Sequence, residues 1–378
     1  MKLMVDATLQ SVGGGVQVAV NFINNILKDK FIDNLLIIVS PQVDEQIDVN
    51  LKPKTNYYVF PNASSFFKFK QGKELSELEK KFKPDLVFIV FGPSYWKPKA
   101  KSIQGFALPL MVYGETVNKL HANNLMKKLR INLLHFLRKF QIRNNFDYVV
   151  VETNTFKSLV KSKFNIDENK IFVVENSFNN KFNMNEDLKL INKKNKYDFF
   201  VPTAYYPHKN LERLVDVAYI LKEKYSLYIT FNFLLAKDSS AWSKILTLAE
   251  HKNVQEYFNT YGPVRNNVIS EIYKKNDCVI LPTIAEVSSA VYPETFISKK
   301  LLFTSDLDFA RELCGDAAVF FNPFSPEDIA NKIFNVLNDL PLQEQLLKCS
   351  ENQLLNQYIS PEEKWEKQKK LILSLINS

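Results

Sequence analysis

The chain has 378 residues, more than a single hydrophobic core ordinarily serves, so two domains are expected. Its 46% hydrophobic and 24% charged content fits a globular enzyme, and the lack of an unbroken apolar run of roughly 18 residues excludes a membrane span. The odd number and wide spacing of Cys278, Cys314 and Cys349 exclude a disulfide framework or zinc knuckle, while a net charge of +8 admits nucleotides, nucleic acid or anionic lipid without choosing among them.

In chain order, a short apolar run at Leu3-Met4-Val5 leads to Gly13-Gly14-Gly15 and then to helical apolar spacing over 16–27. A strand and a glycine loop stand where a signal peptide would have a basic start, an apolar centre and a cleavage site, which predicts a cytoplasmic product. Three of the nine glycines fall in this one loop. Positive φ and missing Cβ atoms would let the backbone and the next helix N-terminus approach a phosphate or an acceptor, although a plain strand-to-helix turn would read the same. The loop is not GxGxxG, and no acid follows at the distance that holds a ribose, so no dinucleotide site is read here.

Apolar runs at 35–39, 86–90, 148–151 and 171–174, bounded by polar residues or proline, predict strands buried on both faces of a parallel sheet. Residues 119–145 alternate Lys and Arg with Leu, Ile and Phe at helical spacing. That pattern fits a helix packed on the sheet with its basic side in water, or a basic amphipathic surface that touches the inner leaflet of a membrane. The polar stretch 182–198 reads as an interdomain linker. A second half follows, with strands at 199–201, 227–233, 278–281 and 318–321, a helix over 210–223, and closing helices at 326–337, 341–357 and 361–377. The fold class is α/β, two doubly wound halves facing a cleft, with ligands expected beyond the carboxyl ends of the strands.

The second half carries the chemistry. Lys209 follows its first strand and precedes the predicted helix, where a cation beside a helix N-terminus suits a diphosphate. Tyr261, Gly262 and Val264 lie in a loop before a helix, a place where backbone groups read a base edge. Glu286 and Glu294, with seven residues between them, follow the strand 278–281 and fall on the same sheet edge as Lys209. Each feature alone is ordinarily a solvated charge or a connecting turn, so the convergence of all of them is the signal.

These segments resemble the nucleotide-binding domain of glycosyltransferase family 4, retaining sugar transferases of the GT-B fold. The resemblance is carried by "PHKNLERLVDVA" from Pro207, "YGPV" from Tyr261 with "EIYKKNDCVILPT" from Glu271, the Glu286-x7-Glu294 pair, and "SDLDFARELCGDAAVFFNPFSPEDIANKI" from Ser305. It implies two Rossmann-like domains, an acceptor-binding one over 1–183 and a nucleotide-sugar-binding one over 199–360. A linker at 184–198 joins them, and a last helix at 361–378 returns toward the first. In the family the second acid, here Glu294, accepts from the ribose hydroxyls, and the first, here Glu286, faces the sugar. Lys209 neutralises the diphosphate, and Val287, Ser288 and Ser289 offer backbone N–H groups near it. Glu286 and Lys209 are thus the expected catalytic residues, and Gly13, Gly14 and Gly15 the expected acceptor or phosphate loop.

The sequence departs from the family in three places. Val287-Ser288-Ser289-Ala290 replaces the usual Gly-Phe-Gly-Leu, Ala204 replaces an arginine five residues before the lysine, and the acceptor-side histidine has no match. Tyr113, Glu115 and His121 lie nearby without an assigned role. Asp306-Leu307-Asp308 matches the DxD pattern with which GT-A enzymes hold Mn²⁺ or Mg²⁺, but it sits inside a match that runs on through Arg311 and Glu312, so it reads as a loop. No metal and no cofactor are expected.

The expectation is a retaining transfer of a hexose or deoxyhexose from a nucleoside-diphosphate donor to a growing bacterial surface glycan. The acceptor can be lipid-linked, the enzyme can sit peripherally on the inner membrane, and nucleic acid is not a partner. The alternatives are an inactive GT-B assembly module and a nucleotide-sugar epimerase of the same fold.

Overall fold

The computed structural model describes residues 1–11, 13–62, 67–114, 125–178, 182, 189–265 and 268–378. Glu115, His121 and part of the polar stretch 182–198 lie outside them. The chain forms two units. One holds the described residues of Met1–Val112, His121–Glu175 and Glu362–Ser378, and the other holds Tyr113, Gly114 and the described residues of Asn176–Pro361.

The first unit is built on seven parallel strands, β1 (Lys2–Ala7), β2 (Asn34–Val39), β3 (Tyr57–Val59), β4 (Leu86–Ile89), β5 (Ser102–Gly105), β6 (Tyr148–Val151) and β7 (Ile171–Val173), in the order β3-β2-β1-β4-β5-β6-β7. Period-two alternation sends neighbouring side chains of each strand to opposite cores. Leu3 and Val5 join one cluster with Ile37 and Phe88, while Met4 joins another with Leu36, Ile38 and Val87. Both faces are covered, which is why these strands read as unbroken apolar runs. The helix Pro361–Asn377 packs into the first of these clusters through Trp365, Leu371, Ile372 and Leu375, and Trp365 Nε1 donates to Asp29 Oδ2 at 2.7 Å.

The second unit has six parallel strands, β8 (Tyr197–Val201), β9 (Ile229–Phe233), β10 (Phe258–Thr260), β11 (Cys278–Leu281), β12 (Leu301–Ser305) and β13 (Ala318–Phe321), in the order β10-β9-β8-β11-β12-β13. Phe199, Val201 and Ile280 face one core and Phe200, Val279 and Leu281 the other. Each sheet reverses its winding direction once, between β1 and β4 and between β8 and β11. At such a switch point the loops after two neighbouring strands diverge to opposite faces and leave a crevice. Of the cysteines, Cys278 and Cys314 are buried and Cys349 is partly exposed; all three are free.

The short strands β3, β5, β10 and β12 are additions to the sequence reading. The helix expected from Asn210 starts three residues later, at Arg213. Asn210 adopts the left-handed conformation with φ 55° and its side chain donates to Pro323 O at 2.9 Å, so it closes the single 3-10 turn Pro207–Lys209 instead of opening a helix. Lys209 is therefore held by a separate turn, not by the N-terminus of the following helix.

Candidate functional site

In the second unit the loop after β8 carries Lys209 and the loop after β11 carries Glu286. The strands are neighbours in register, with Cys278 opposite Phe199 and Val279 opposite Phe200, so both loops leave the sheet at the switch point. Two bonds sew them together: Ile284 N donates to His208 O at 2.8 Å, and Thr283 Oγ1 donates to the same carbonyl at 3.2 Å. With the backbones fixed, Lys209 Nζ donates to Glu286 Oε2 in an ion pair, each side chain 14% exposed. The sequence places both residues on this edge but gives no sign that they pair.

Beyond Glu286, Val287 is buried and its backbone N donates to Oε1 of the preceding Glu286 at 3.4 Å. Ser289 is buried, Ser288 half-buried and Ala290 exposed, and the short helix Val291–Ile297 follows. Glu294 lies in that helix and accepts from Tyr273 Oη at 3.1 Å. Burial pushes its carboxyl up to about 7, and the tyrosine bond opposes that rise only in part. Tyr273 is the site residue the sequence reading missed. Its only signal is position: it lies in the helix Ile269–Lys275 that leads into β11.

Tyr261, Gly262 and Val264 follow β10. Gly262 has φ 76°, a conformation that favours glycine, and its N–H donates to Thr260 Oγ1 at 3.0 Å. The Tyr261 ring is 37% exposed while its hydroxyl accepts from Asn276 Nδ2 at 3.2 Å, and Val264 packs on the core that holds Phe200 and Tyr273. His208, beside Lys209, stacks its ring on Tyr206, and its Nδ1 is buried without a partner. Burial and the Lys209 charge push its imidazole down to about 4, against a smaller opposite pull from Glu286.

The two acids of the DxD pattern are held apart in use. Asp306 Oδ1 accepts from Arg311 Nε at 2.6 Å in an exposed ion pair. Asp308 opens the helix Asp308–Cys314 and its Oδ1 accepts from Tyr113 Oη at 2.9 Å and from Phe309 N at 2.8 Å. Only Asp306 thus lies in the loop that the sequence reading gave to both. Tyr113 acquires a structural partner that the sequence alone does not suggest.

In the first unit the glycine loop follows β1 at that sheet's own switch point. Gly13 has φ 65° and ψ −149° and precedes the helix Gly14–Asp29, so it is the glycine of the three whose backbone demands the residue type. Gly14 and Gly15 are the first helical residues, and no atom lies within 4 Å of where a Cβ on Gly13 or Gly14 would stand. Below the loop, Asp6 accepts from Thr8 N at 3.0 Å, Thr8 Oγ1 at 2.8 Å and Trp96 Nε1 at 2.8 Å. Its carboxyl is nevertheless raised, because burial outweighs the three donors.

Three comparisons bear on this arrangement. Residues 184–353 match the family described as glycosyl transferases group 1. A Salmonella typhimurium protein described as the O-antigen chain mannosyltransferase RfbU is 23% identical over 202 residues, which span 53% of this chain and 54% of that protein. The match thus covers about half the length of the curated relative. Among solved structures, WaaG, a glycosyltransferase involved in lipopolysaccharide biosynthesis, superposes with TM-score 0.70 at 13% identity over 97% of this chain and 99% of its own. HepE of Anabaena, solved with UDP-glucose, gives TM-score 0.70 at 12% identity over 98% and 99%. The fold is GT-B.

Proposed function

We propose that the chain, whose residues 184–353 match the glycosyl transferases group 1 family, transfers a hexose or deoxyhexose from a nucleoside-diphosphate donor to a growing bacterial surface glycan. The reading places it in family 4, with retention of anomeric configuration. The observation that carries it is the Lys209–Glu286 pair at the β8/β11 switch point, with the Glu294 carboxylate on the next helix.

In this reading Glu294 accepts from the ribose hydroxyls, and Tyr261, Gly262 and Val264 border the base. The N–H groups of Val287, Ser288 and Ser289 face the diphosphate. Donor binding separates the ion pair: Lys209 turns to the phosphates and Glu286 to the sugar hydroxyls. As the C1–O bond breaks, positive charge grows on the sugar ring and negative charge on the leaving phosphate oxygen, and a preorganised cation lowers that barrier. Same-face attack by the acceptor hydroxyl, whose proton passes to the departing phosphate oxygen, forms the new C1–O bond and preserves the configuration. Gly13, Gly14 and Gly15 form the acceptor or phosphate loop of the first unit.

The reaction is read as metal-independent, because Asp306 and Asp308 are engaged by Arg311 and by Tyr113 and Phe309 N. The acceptor is read as lipid-linked and the enzyme as cytoplasmic, working at the inner face of a membrane. No described helix is long and apolar enough to cross one. The test is thermal shift and sugar transfer with a panel of nucleoside diphosphates and their sugars, with and without EDTA. A rise for one base that survives EDTA and vanishes in Glu294→Ala is expected. No response to any nucleotide would sink the transferase and favour the inactive assembly module.

A further inference from the structure

The helix Leu125–Asn144 of the first unit turns an apolar face to solvent. Leu133, Phe136, Leu137 and Phe140, at i, i+3, i+4 and i+7, share one stripe and are 61%, 69%, 50% and 63% exposed. Ile142, half a turn round, is fully buried and anchors the other side. A helix on a globular protein normally shows the reverse pattern, apolar stripe inward and charges outward. Four large exposed side chains in two turns make an isolated surface residue an inadequate account of them.

Lys139 and Arg143 flank the stripe on one side. There the surface opens into a groove of about 660 Å³, lined by Phe136, Lys139, Phe140, Arg143, Phe146 and Lys170 among others. Lys139, Arg143 and Lys170 form no ion pair among the described residues. Two acids, Asp147 and Asp167, also line the groove, and Asp147 is turned toward the strand, accepting from Ser102 N at 2.9 Å and Ser102 Oγ at 3.1 Å. The three cations outnumber the two acids, so the groove keeps a net positive charge. Apolar rings beside a net positive groove complement a surface that presents acyl chains beneath phosphate headgroups.

We propose that this face docks on an anionic phospholipid membrane, with Phe136, Leu137 and Phe140 entering the headgroup–acyl boundary and the groove cations taking headgroup phosphates. The proposal deepens the lipid-linked part of the proposed function and rests on it for the place of reaction. Its test needs no sugar transfer, so the two fail separately.

The experiment is co-sedimentation of the full chain with vesicles of phosphatidylcholine alone or mixed with phosphatidylglycerol. Binding is expected on the anionic vesicles and at least about tenfold weaker on the neutral ones. Phe136→Ser with Phe140→Ser should lower it by about tenfold or more, and Lys139→Gln with Arg143→Gln by about fivefold per cation, with a shallower salt dependence. Lys209→Ala should bind vesicles like the parent. An unchanged melting temperature verifies the fold of each variant. Equal binding to both vesicle types, or binding indifferent to the aromatic pair, would overturn the proposal. So would a concentration-dependent dimer in light scattering that the aromatic substitutions abolish, since a second copy would then cover the face.

Discussion

Lys209 and Glu286 lie 77 positions apart in the chain, yet the Lys209 ammonium donates to the Glu286 carboxylate because β8 and β11 are neighbours in the sheet. If this pair opens onto a donor diphosphate, Lys209→Ala should cut sugar transfer by about a hundredfold or more, the scale of losing one preorganised charge at a developing anion. Either single change, Lys209→Ala or Glu286→Gln, leaves a partly buried charge without its partner and should cost about 1–2 kcal/mol of stability. The double variant should cost less than the sum, which denaturant unfolding of all four proteins would read.

Glu294 gives the site a pH dependence. Its carboxyl moves from the usual 4.5 to about 7 in the folded state. Between those values the native protein holds a proton that the unfolded chain has lost, so stability should fall as pH rises through that window and level off above it. The fall should be about 3 kcal/mol at most, and about half that given the solvent contact Glu294 keeps. Glu294→Gln should flatten it in unfolding curves taken from pH 4 to 8.

Nucleotide affinity should run the other way, because the ionised carboxylate is the better acceptor for ribose hydroxyls. Binding at pH 6 should release a proton, visible in calorimetry as heats that differ between buffers. Tyr273→Phe removes the donor that holds the Glu294 carboxyl down and should shift the rise in affinity to higher pH. Heats independent of buffer would take Glu294 out of the binding site.

His208 should remain neutral across the working range. Its imidazole is lowered from 6.5 to about 4, so the native state binds fewer protons than the unfolded chain between those values and gains stability as pH rises through them. An NMR titration of the ring protons should show a midpoint near 4, moving up in Lys209→Met once the neighbouring positive charge is gone. A midpoint near 6.5 in the parent would contradict the burial that sets it.

The glycine loop separates folding from function. Gly13→Ala forces an L residue into positive φ and should destabilise by about 1–3 kcal/mol. Gly14→Ala places a methyl group in open space at a helical position and should leave stability unchanged or raise it by up to about 1 kcal/mol. Reduced transfer by a stable Gly14→Ala protein would mean that a ligand approaches the backbone there; full activity would make the loop a plain turn.

The sequence alone discloses the α/β class, the strands buried on both faces and the spacing that sets Glu286 in a loop and Glu294 on the next helix. These follow from local patterns, since a strand covered on both faces must be apolar throughout. It did not disclose β5, whose residues Ser102, Gln104 and Gly105 each serve a neighbour. Ser102 bonds Asp147, Gln104 Oε1 accepts from Ser94 N at 3.0 Å, and a Cβ on Gly105 would stand 1.9 Å from Val90 O. Nor did it disclose the meeting of Lys209 with Glu286, of Tyr273 with Glu294 or of Tyr113 with Asp308, or which face of the helix Leu125–Asn144 meets solvent. Strand order and packing decide those contacts, and both join residues whose separation along the chain leaves no periodic trace.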